Sequence, residues 1–358
     1  MWLAESFSYG SMKPMQIAVN NDLHKFYENI DEEAKNLDLN AKYIERLKST
    51  HPNDYNKILD ECDRLKINIV CFGDENYPEK LRNIEAAPLV LYYVGDLSAL
   101  SNPSVAVVGT RRASAYGLKV ADKIARELTS HNITVISGCA EGIDMQTHRS
   151  VTDKHGNTMA LLGTSLEKDY PSGSGKLKRQ IINCGGAVIS EYAPHTKTSP
   201  WMFPVRNRLI VGLSDKVVIV QSPKKSGAMI TAGIACDQGK EVFCVPPSDI
   251  FDARNDGVKK LLRDGANILL GIDDILDSYR FSDYFLPKNN LKFNEKQGNK
   301  YNDIPQHLKT VFDRIDKYND LDQISKDLNI PMNHLLPILT ELEIMGMIEK
   351  VGQNYQKC

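Results

Sequence analysis

The sequence has no Cys-x-x-Cys pair and no cluster of Cys and His at zinc-ligand spacing. Its seven cysteines, Cys62, Cys71, Cys139, Cys184, Cys236, Cys244 and Cys358, are scattered singly, which argues against a metal held through thiolates. An odd number of thiols, several inside apolar runs such as 242–245, reads instead as buried cysteines of a reducing compartment. Also missing is any run of about eighteen apolar residues, the minimum for a membrane helix. Met1-Trp2-Leu3-Ala4-Glu5 lacks the basic and apolar pattern of a secretory leader. A cytoplasmic protein with no membrane partner is the expectation.

Charge of one sign is lacking too. Lys+Arg number 44 against 46 Asp+Glu, a net charge of −2, which excludes a histone-like protein coated in positive charge but leaves room for a local basic groove. The glycine fingerprints of common nucleotide enzymes are absent. Gly109 is followed by Thr, Arg, Arg, Ala and Ser before Gly117, so there is no GxGxxG, and no GxxxxGK[ST] occurs anywhere. A dinucleotide dehydrogenase and a P-loop NTPase are both disfavoured.

What is present is a chain of 358 residues, 42 % hydrophobic and 25 % charged, enough for two or three ordinary globular domains. The first hundred residues are polar and helical in pattern, and they end in short runs closed by glycine, 69–73 and 89–95, that read as strands. From Ser104 the texture changes. Apolar β-branched runs at 105–108, 134–136, 158–162, 187–189, 216–220, 241–245 and 267–270 alternate with helix-length segments at 116–130, 141–155, 174–184, 206–213 and 228–238. Continuous runs mean strands buried on both faces, so the fold class is α/β, an extended Rossmann-like, doubly wound, mostly parallel sheet. Residues 278–303, rich in Asn, Lys, Asp and Gly, read as a linker, and 304–358 as a small third unit.

In such a sheet, ligands bind outside the carboxyl ends of the strands, where freed backbone amides attract anions. Those ends carry Gly109-Thr110-Arg111-Arg112, Ser137-Gly138, Gly163-Thr164-Ser165 and Lys225-Ser226-Gly227. Glycines allow close backbone approach, hydroxyls donate to phosphate oxygens and Arg supplies a bidentate fork. The shared property is phosphate recognition, although small residues also end buried strands merely to let the chain turn. Arg206 and Arg208 are expected in the first turn of a helix, where a cation opposes the dipole and needs an anionic partner. That partner is either a protein carboxylate, Asp144 or Glu191, or a nucleic acid or nucleotide, with Trp201 or Phe203 as a stacking plane. No nucleophile–base pair stands out, and His148, Asp144 and Glu191 read as caps or pair partners.

These residues resemble the DNA-processing protein A (DprA/Smf) family. The resemblance rests on Tyr77-Pro78, Val107-Val108-Gly109-Thr110-Arg111, Ser137-Gly138 through Gly142-Ile143-Asp144 with His148, and Tyr170-Pro171. It continues in Ser190-Glu191-Tyr192, Phe203-Pro204 with Arg206-Asn207-Arg208, Ser226-Gly227 with Ile230-Thr231-Ala232, and Leu262 with Asp264-Gly265-Ala266. It implies a non-enzymatic mediator, without cofactor or metal, that binds single-stranded DNA, hands it to a RecA-type recombinase during natural transformation, and forms a homodimer. It places Arg111 and Arg206-Asn207-Arg208 in the DNA pocket; with the strand-end and stacking residues read above, the expected DNA contacts are Gly109, Thr110, Arg111, Ser137, Gly138, Lys176, Phe203, Arg206, Asn207, Arg208, Lys225, Ser226 and Gly227. Ser172 follows Tyr170-Pro171 where the family tends to carry a basic residue, and Lys176, Lys178 and Arg179 lie just downstream.

The resemblance also divides the chain into a sterile-alpha-motif-like helical domain (1–66), the Rossmann-like DNA-binding domain (67–277), the linker (278–303) and a winged-helix domain (304–358). In the last, helices are expected at 304–315, 321–328 and 335–345, with Pro337 in the first turn of the third and a wing at 347–356. The third helix carries Glu341 and Glu343 and no Arg or Lys, which favours protein interaction or a weak association with DNA over major-groove readout. Two other classes compete. A nucleotide phosphoribohydrolase of the lysine-decarboxylase-like family shares this core type but needs a PGGxGT segment, where 225–231 reads Lys-Ser-Gly-Ala-Met-Ile-Thr. A nucleotide-sensing regulator is the third.

Overall fold

Apolar side chains, Val, Ile, Ala and Leu above all, fill most strand positions between Ser104 and Cys244, so both faces of the resulting sheet are covered. The computed structural model describes residues 1–20, 22–37, 39–49, 55–285, 306–315, 321–328, 330–344, 347–351 and 354–357. They fall into two units, Met1–Ile275 and Leu276–Cys358.

The first unit begins with six helices, α1 (Trp2–Ser6), α2 (Lys13–Asn20), α3 (Leu23–Glu28), α4 (Ile30–Asn36), α5 (Ala41–Ser49) and α6 (Asn56–Leu65). They enclose their own small core of Trp2, Leu3, Phe7, Ile17, Phe26, Ile30 and Leu47. The indole of Trp2 donates to the Leu47 carbonyl at 3.2 Å. The expected division after residue 66 is bridged by packing: Cys62 of α6 shares a buried cluster with Val90, Tyr92 and Ala193.

There follow β1 (Asn68–Cys71), α7 (Glu79–Arg82), β2 (Val90–Gly95), β3 (Ser104–Val108), α8 (Ala115–Ser130), β4 (Thr134–Ser137), α9 (Ile143–Thr152), β5 (Thr158–Leu162), α10 (Gly175–Asn183) and β6 (Ala187–Ser190). The chain continues with α11 (Met202–Leu213), β7 (Lys216–Ile219), α12 (Gly227–Asp237), β8 (Glu241–Cys244), α13 (Asp256–Arg263), β9 (Asn267–Ile268) and α14 (Asp273–Phe285). The nine strands make one sheet in the order β1-β2-β6-β5-β4-β3-β7-β8-β9. β2 runs antiparallel to both β1 and β6, and the remaining pairs are parallel. The strand order reverses between β3 and β7, and the loops leaving the two strands border a crevice.

Three expectations need correction. The helix expected to start at Arg206 starts at Met202, so Arg206 and Arg208 lie in its second turn, not its first. Pro204 falls in the first turn, where a helix has no use for its missing N–H. The linker expected from Ser278 does not begin there, because residues to Phe285 continue α14, anchored by buried Ile275 and by Asp274, whose carboxylate accepts from the Leu270 N–H at 2.6 Å. Its remainder, 286–303, lies outside the described residues.

The second unit comprises α15 (Gln306–Ile315), α16 (Leu321–Leu328), α17 (Met332–Ile344) and an antiparallel hairpin of β10 (Ile348–Val351) and β11 (Asn354–Lys357). Leu308, Val311, Ile324, Leu335, Leu339 and Leu342 form its core. The third correction concerns Pro337. The Pro331 carbonyl takes the first helical bonds of α17, from the N–H groups of His334 and Leu335, so the helix starts early and Pro337 falls in its second turn. Burial of Leu335, Ile338, Leu339 and Leu342 along one face outweighs the helical bond that Pro337 cannot make.

Candidate nucleic-acid interface

The crevice is closed at its base by the chain itself. The Thr110 N–H donates to the Gln221 carbonyl at 2.7 Å, and the Ser114 N–H to its side-chain oxygen at 2.8 Å, which locks the loops after β3 and β7 together. Above this seam lies a cleft lined by Gly109, Thr110, Arg111, Phe203, Arg206, Asn207, Lys225, Ser226 and Gly227. A narrower cavity continues from it past Gly138, Glu141, Gly163, Tyr170 and Ser172, sharing Arg111, Phe203 and Arg206 as common wall.

Aromatic and cationic side chains are layered on that wall. The Arg111 guanidinium lies 5.5 Å from the centroid of the Phe203 ring, within cation–π range. The Tyr170 ring lies 5.1 Å from Phe203, tilted by 39°. Phe203 can approach because Gly163 carries no side chain: a Cβ there would stand 2.6 Å from the ring. Tyr170 is 40 % exposed and Trp201, next to the cleft residue Pro200, is 49 % exposed. From the N-terminal region Tyr9 packs on both Tyr192 and Trp201, at 4.6 and 6.4 Å between ring centroids.

Arg206 is only 5 % exposed. It donates to the Gly138 carbonyl at 2.8 Å, to the Leu161 carbonyl and to the Asn207 side chain at 3.4 Å. Asn207 in turn donates to the Gly227 carbonyl at 3.3 Å, and Ser226 caps α12 by accepting from the Met229 N–H. Asp144, at the start of α9, accepts from the Gly138 N–H at 3.2 Å. Burial pushes its carboxyl up to about 6, against the pull of Arg206 and of the N–H groups of Ala140, Gly109 and Gly138. His148 is fully buried, and its Nδ1 lies 2.8 Å from the Thr158 hydroxyl, which itself donates to the Val135 carbonyl. Nδ1 is therefore the protonated nitrogen of a neutral ring. Burial first, and Arg206 next, hold it down to about 3, so His148 is a packed neighbour of the cleft and not a proton donor at neutral pH.

Of the residues expected at the site, three stand apart. The Ser137 hydroxyl is buried and donates to the Val107 carbonyl at 2.7 Å. Arg208 pairs with Glu191 at 2.7 Å and donates to the Ala86 carbonyl at 3.1 Å, turned away from the cleft. Lys176 is exposed on α10 and lines neither cavity. Both carboxylates named as protein partners of the arginines are thus engaged, Glu191 with Arg208 and Asp144 beside Arg206. Tyr170 and Asp144, by contrast, line the cleft without having been expected there as contacts; an aromatic isolated in a polar loop beside proline was the available signal for the first.

Exposed Arg111, Arg112 and Lys225 at the rim, backbone amides at the strand ends and stacked rings between them suit a flexible polyanion with planar bases. Among the described residues no group of His, Cys, Asp and Glu could hold a metal ion, and no helix is long and apolar enough to cross a membrane.

Residues 68–280 match the family described as DNA recombination-mediator protein A. The chain is 36 % identical over 208 residues to the DNA processing protein DprA of Streptococcus pneumoniae, covering 58 % of this chain and 73 % of that protein. It is 31 % identical over 290 residues to Protein Smf of Escherichia coli, covering 80 % and 76 %. Among solved structures, DNA processing protein A of S. pneumoniae superposes with a TM-score of 0.60 at 31 % identity, over 69 % of this chain and 89 % of that one. The Helicobacter pylori protein, described for its single-stranded DNA binding mode, superposes with a TM-score of 0.54 at 31 % identity, over 61 % and 97 %. The crevice at the sheet reversal, its layered aromatic wall and these matches converge: the chain belongs to the DNA recombination-mediator protein A family.

Proposed function

We propose that the cleft binds single-stranded DNA, that the protein protects the strand and loads a RecA-type recombinase on it during DNA uptake, and that it does so without a catalytic step. The carrying observation is the Arg111–Phe203–Tyr170 layer on the cleft wall. A guanidinium beside two half-open rings meets a phosphate and its neighbouring bases at once, with no hydrogen bond to a base edge, so binding is sequence-tolerant and weakens with salt. Membership of a recombination-mediator family and the single-stranded DNA mode described for the H. pylori protein support the same reading.

Gly109, Thr110, Gly138, Asn207, Lys225, Ser226 and Gly227 supply the remaining contacts, with Arg206 behind them as a buried source of positive charge. Ser137, Arg208 and Lys176 are proposed to act indirectly or at the margin, the first two by holding β4 and α11 in place. The protein works as a homodimer in the cytoplasm. Its first six helices serve as a sterile-alpha-motif-like domain, and the second unit serves as a winged helix that docks a protein.

Arg111 carries the test. It is exposed and its removal leaves no buried group unpaired, so Arg111→Glu is expected to keep the melting temperature while weakening the binding of labelled oligo-dT, read by fluorescence anisotropy, at least about tenfold. Unchanged affinity would remove the cleft from the DNA path.

A further inference from the structure

Asp144 and Arg206 converge on one spot. A Cβ placed on Gly138 would stand 2.7 Å from Oδ2 of Asp144 and 2.7 Å from Nη2 of Arg206. The carboxylate and the guanidinium therefore flank the same glycine, which forms the wall of the narrow cavity, without making an ion pair of their own, while Asp144 also lines the wider cleft. Both side chains are 5 % exposed. An anion that approaches Arg206 through the cleft consequently approaches Asp144 as well. The Oδ1 oxygen of Asp144 is buried with no hydrogen-bond partner and is free to carry a proton.

We propose that Asp144 is a proton-linked positioning residue, taking up a proton when an anionic strand occupies the cleft, so that affinity for single-stranded DNA rises on mild acidification. The inference rests on the reading of the cleft as the DNA site. Ionised, Asp144 cancels much of the field of Arg206 and repels a phosphate; protonated, it still accepts the Gly138 N–H through Oδ2 and leaves the guanidinium charge uncompensated. A bound phosphate disfavours the carboxylate further, so the group's pKa is higher in the complex than in the free protein. By linkage the protonated form is the tighter binder. With the free carboxyl near 6, affinity should climb as pH falls from 8 toward 6 and level off below that.

The groups around Asp144 do not share that window. Arg206 on α11 is lowered by burial, against the pull of Asp144, but a guanidinium starts far above this window. The Cys139 thiol on the same loop as Gly138 is pushed up to about 11 by burial, the buried Tyr192 phenol after β6 is also raised, and His148 on α9 is held down to about 3.

The test is calorimetric titration of oligo-dT into the full-length protein at pH 6.5 and 7.5, each in two buffers of different ionisation enthalpy, with anisotropy titrations from pH 8 to 5.5 at fixed ionic strength. Expected are uptake of up to one proton per site and a gain in affinity of about tenfold over the series, the ceiling for one proton being about tenfold per pH unit. Asp144→Asn, of the same shape, should abolish the uptake, flatten the profile and bind at pH 8 about as tightly as the wild type does at pH 6. Zero uptake in the wild type, or a slope that survives Asp144→Asn, overturns the proposal, and the wild-type proton count decides it even where the variant does not fold. Oligo-dT that is not bound at any pH refutes the DNA site itself, whereas binding with a flat profile refutes only the role of Asp144.

Discussion

Arg206→Met should cost the first unit about 3–5 kcal/mol of stability, the range for breaking a buried charge network from one side. The guanidinium holds the Gly138 carbonyl at the end of β4 and the Leu161 carbonyl on β5, and it is the cation beside Asp144. Methionine fills much of the volume but donates nothing. Two carbonyls and a carboxylate are then left in a space that water enters poorly, and each lost partner costs about 1–3 kcal/mol. For a unit of this size the melting temperature should drop by roughly 10 °C, at about 2–4 °C per kcal/mol, together with loss of oligo-dT binding. Scanning fluorimetry reads the first and anisotropy the second. The double variant Arg206→Met with Asp144→Asn should recover part of the stability, since no buried carboxylate then lacks its cation, but none of the binding. A melting point that does not move would show that Arg206 is solvated in solution and not the buried strut described above.

This division between Arg206 and Arg111 was only half legible in the sequence. Both residues are arginines at the edge of an apolar run, and residue type alone assigns both to an anion. What separates them is where the neighbouring strands end. Arg206 meets carbonyls of β4 and β5, contributed by residues 68 and 45 positions earlier in the chain, and no local pattern announces such a contact. Arg208 was misplaced for the same reason, since its partner Glu191 sits on the loop after β6.

The strands themselves were readable because burial on both faces leaves an unbroken apolar run, as at Val105 through Val108, all at most 4 % exposed. Ser137 shows the limit of that reading. At a strand end its hydroxyl is suited to a phosphate, yet it turns back to the Val107 carbonyl, and composition cannot say which way a strand-end side chain points. α11 starts at Met202, four residues before the helix-length segment that marks it, because its first turn holds Pro204, at a position where a helix tolerates proline. Tyr9 against Trp201 was out of reach altogether, for it joins the first helical region to α11 across most of the first unit.

Gly142→Ala should damage the protein through the loop that carries Arg111. Gly142 has φ of 82° and ψ of −123°, a region closed to residues with a Cβ, and forcing alanine into it costs about 1–3 kcal/mol. The added carbon would also stand 2.4 Å from the Thr110 carbonyl oxygen and 2.7 Å from that of Arg111. These are backbone atoms, which no rotamer change can move aside, so overpacking adds about another 1–3 kcal/mol. Relief requires the loop bearing Arg111 to shift, and that loop is held both by the Ile143 N–H on the Thr110 carbonyl and by the Thr110 N–H on Gln221. Stability and oligo-dT affinity should therefore fall together, by about 2–6 kcal/mol for the first and at least about tenfold for the second. Gly227→Ala, across the same cleft, is the control. A Cβ there meets nothing within 4 Å, and at the first position of α12 alanine should leave the melting temperature unchanged or slightly raised. If Gly142→Ala binds and melts like the wild type, the loops after β3 and β4 are not in contact in solution, and the Arg111 layer loses the support that sets its geometry.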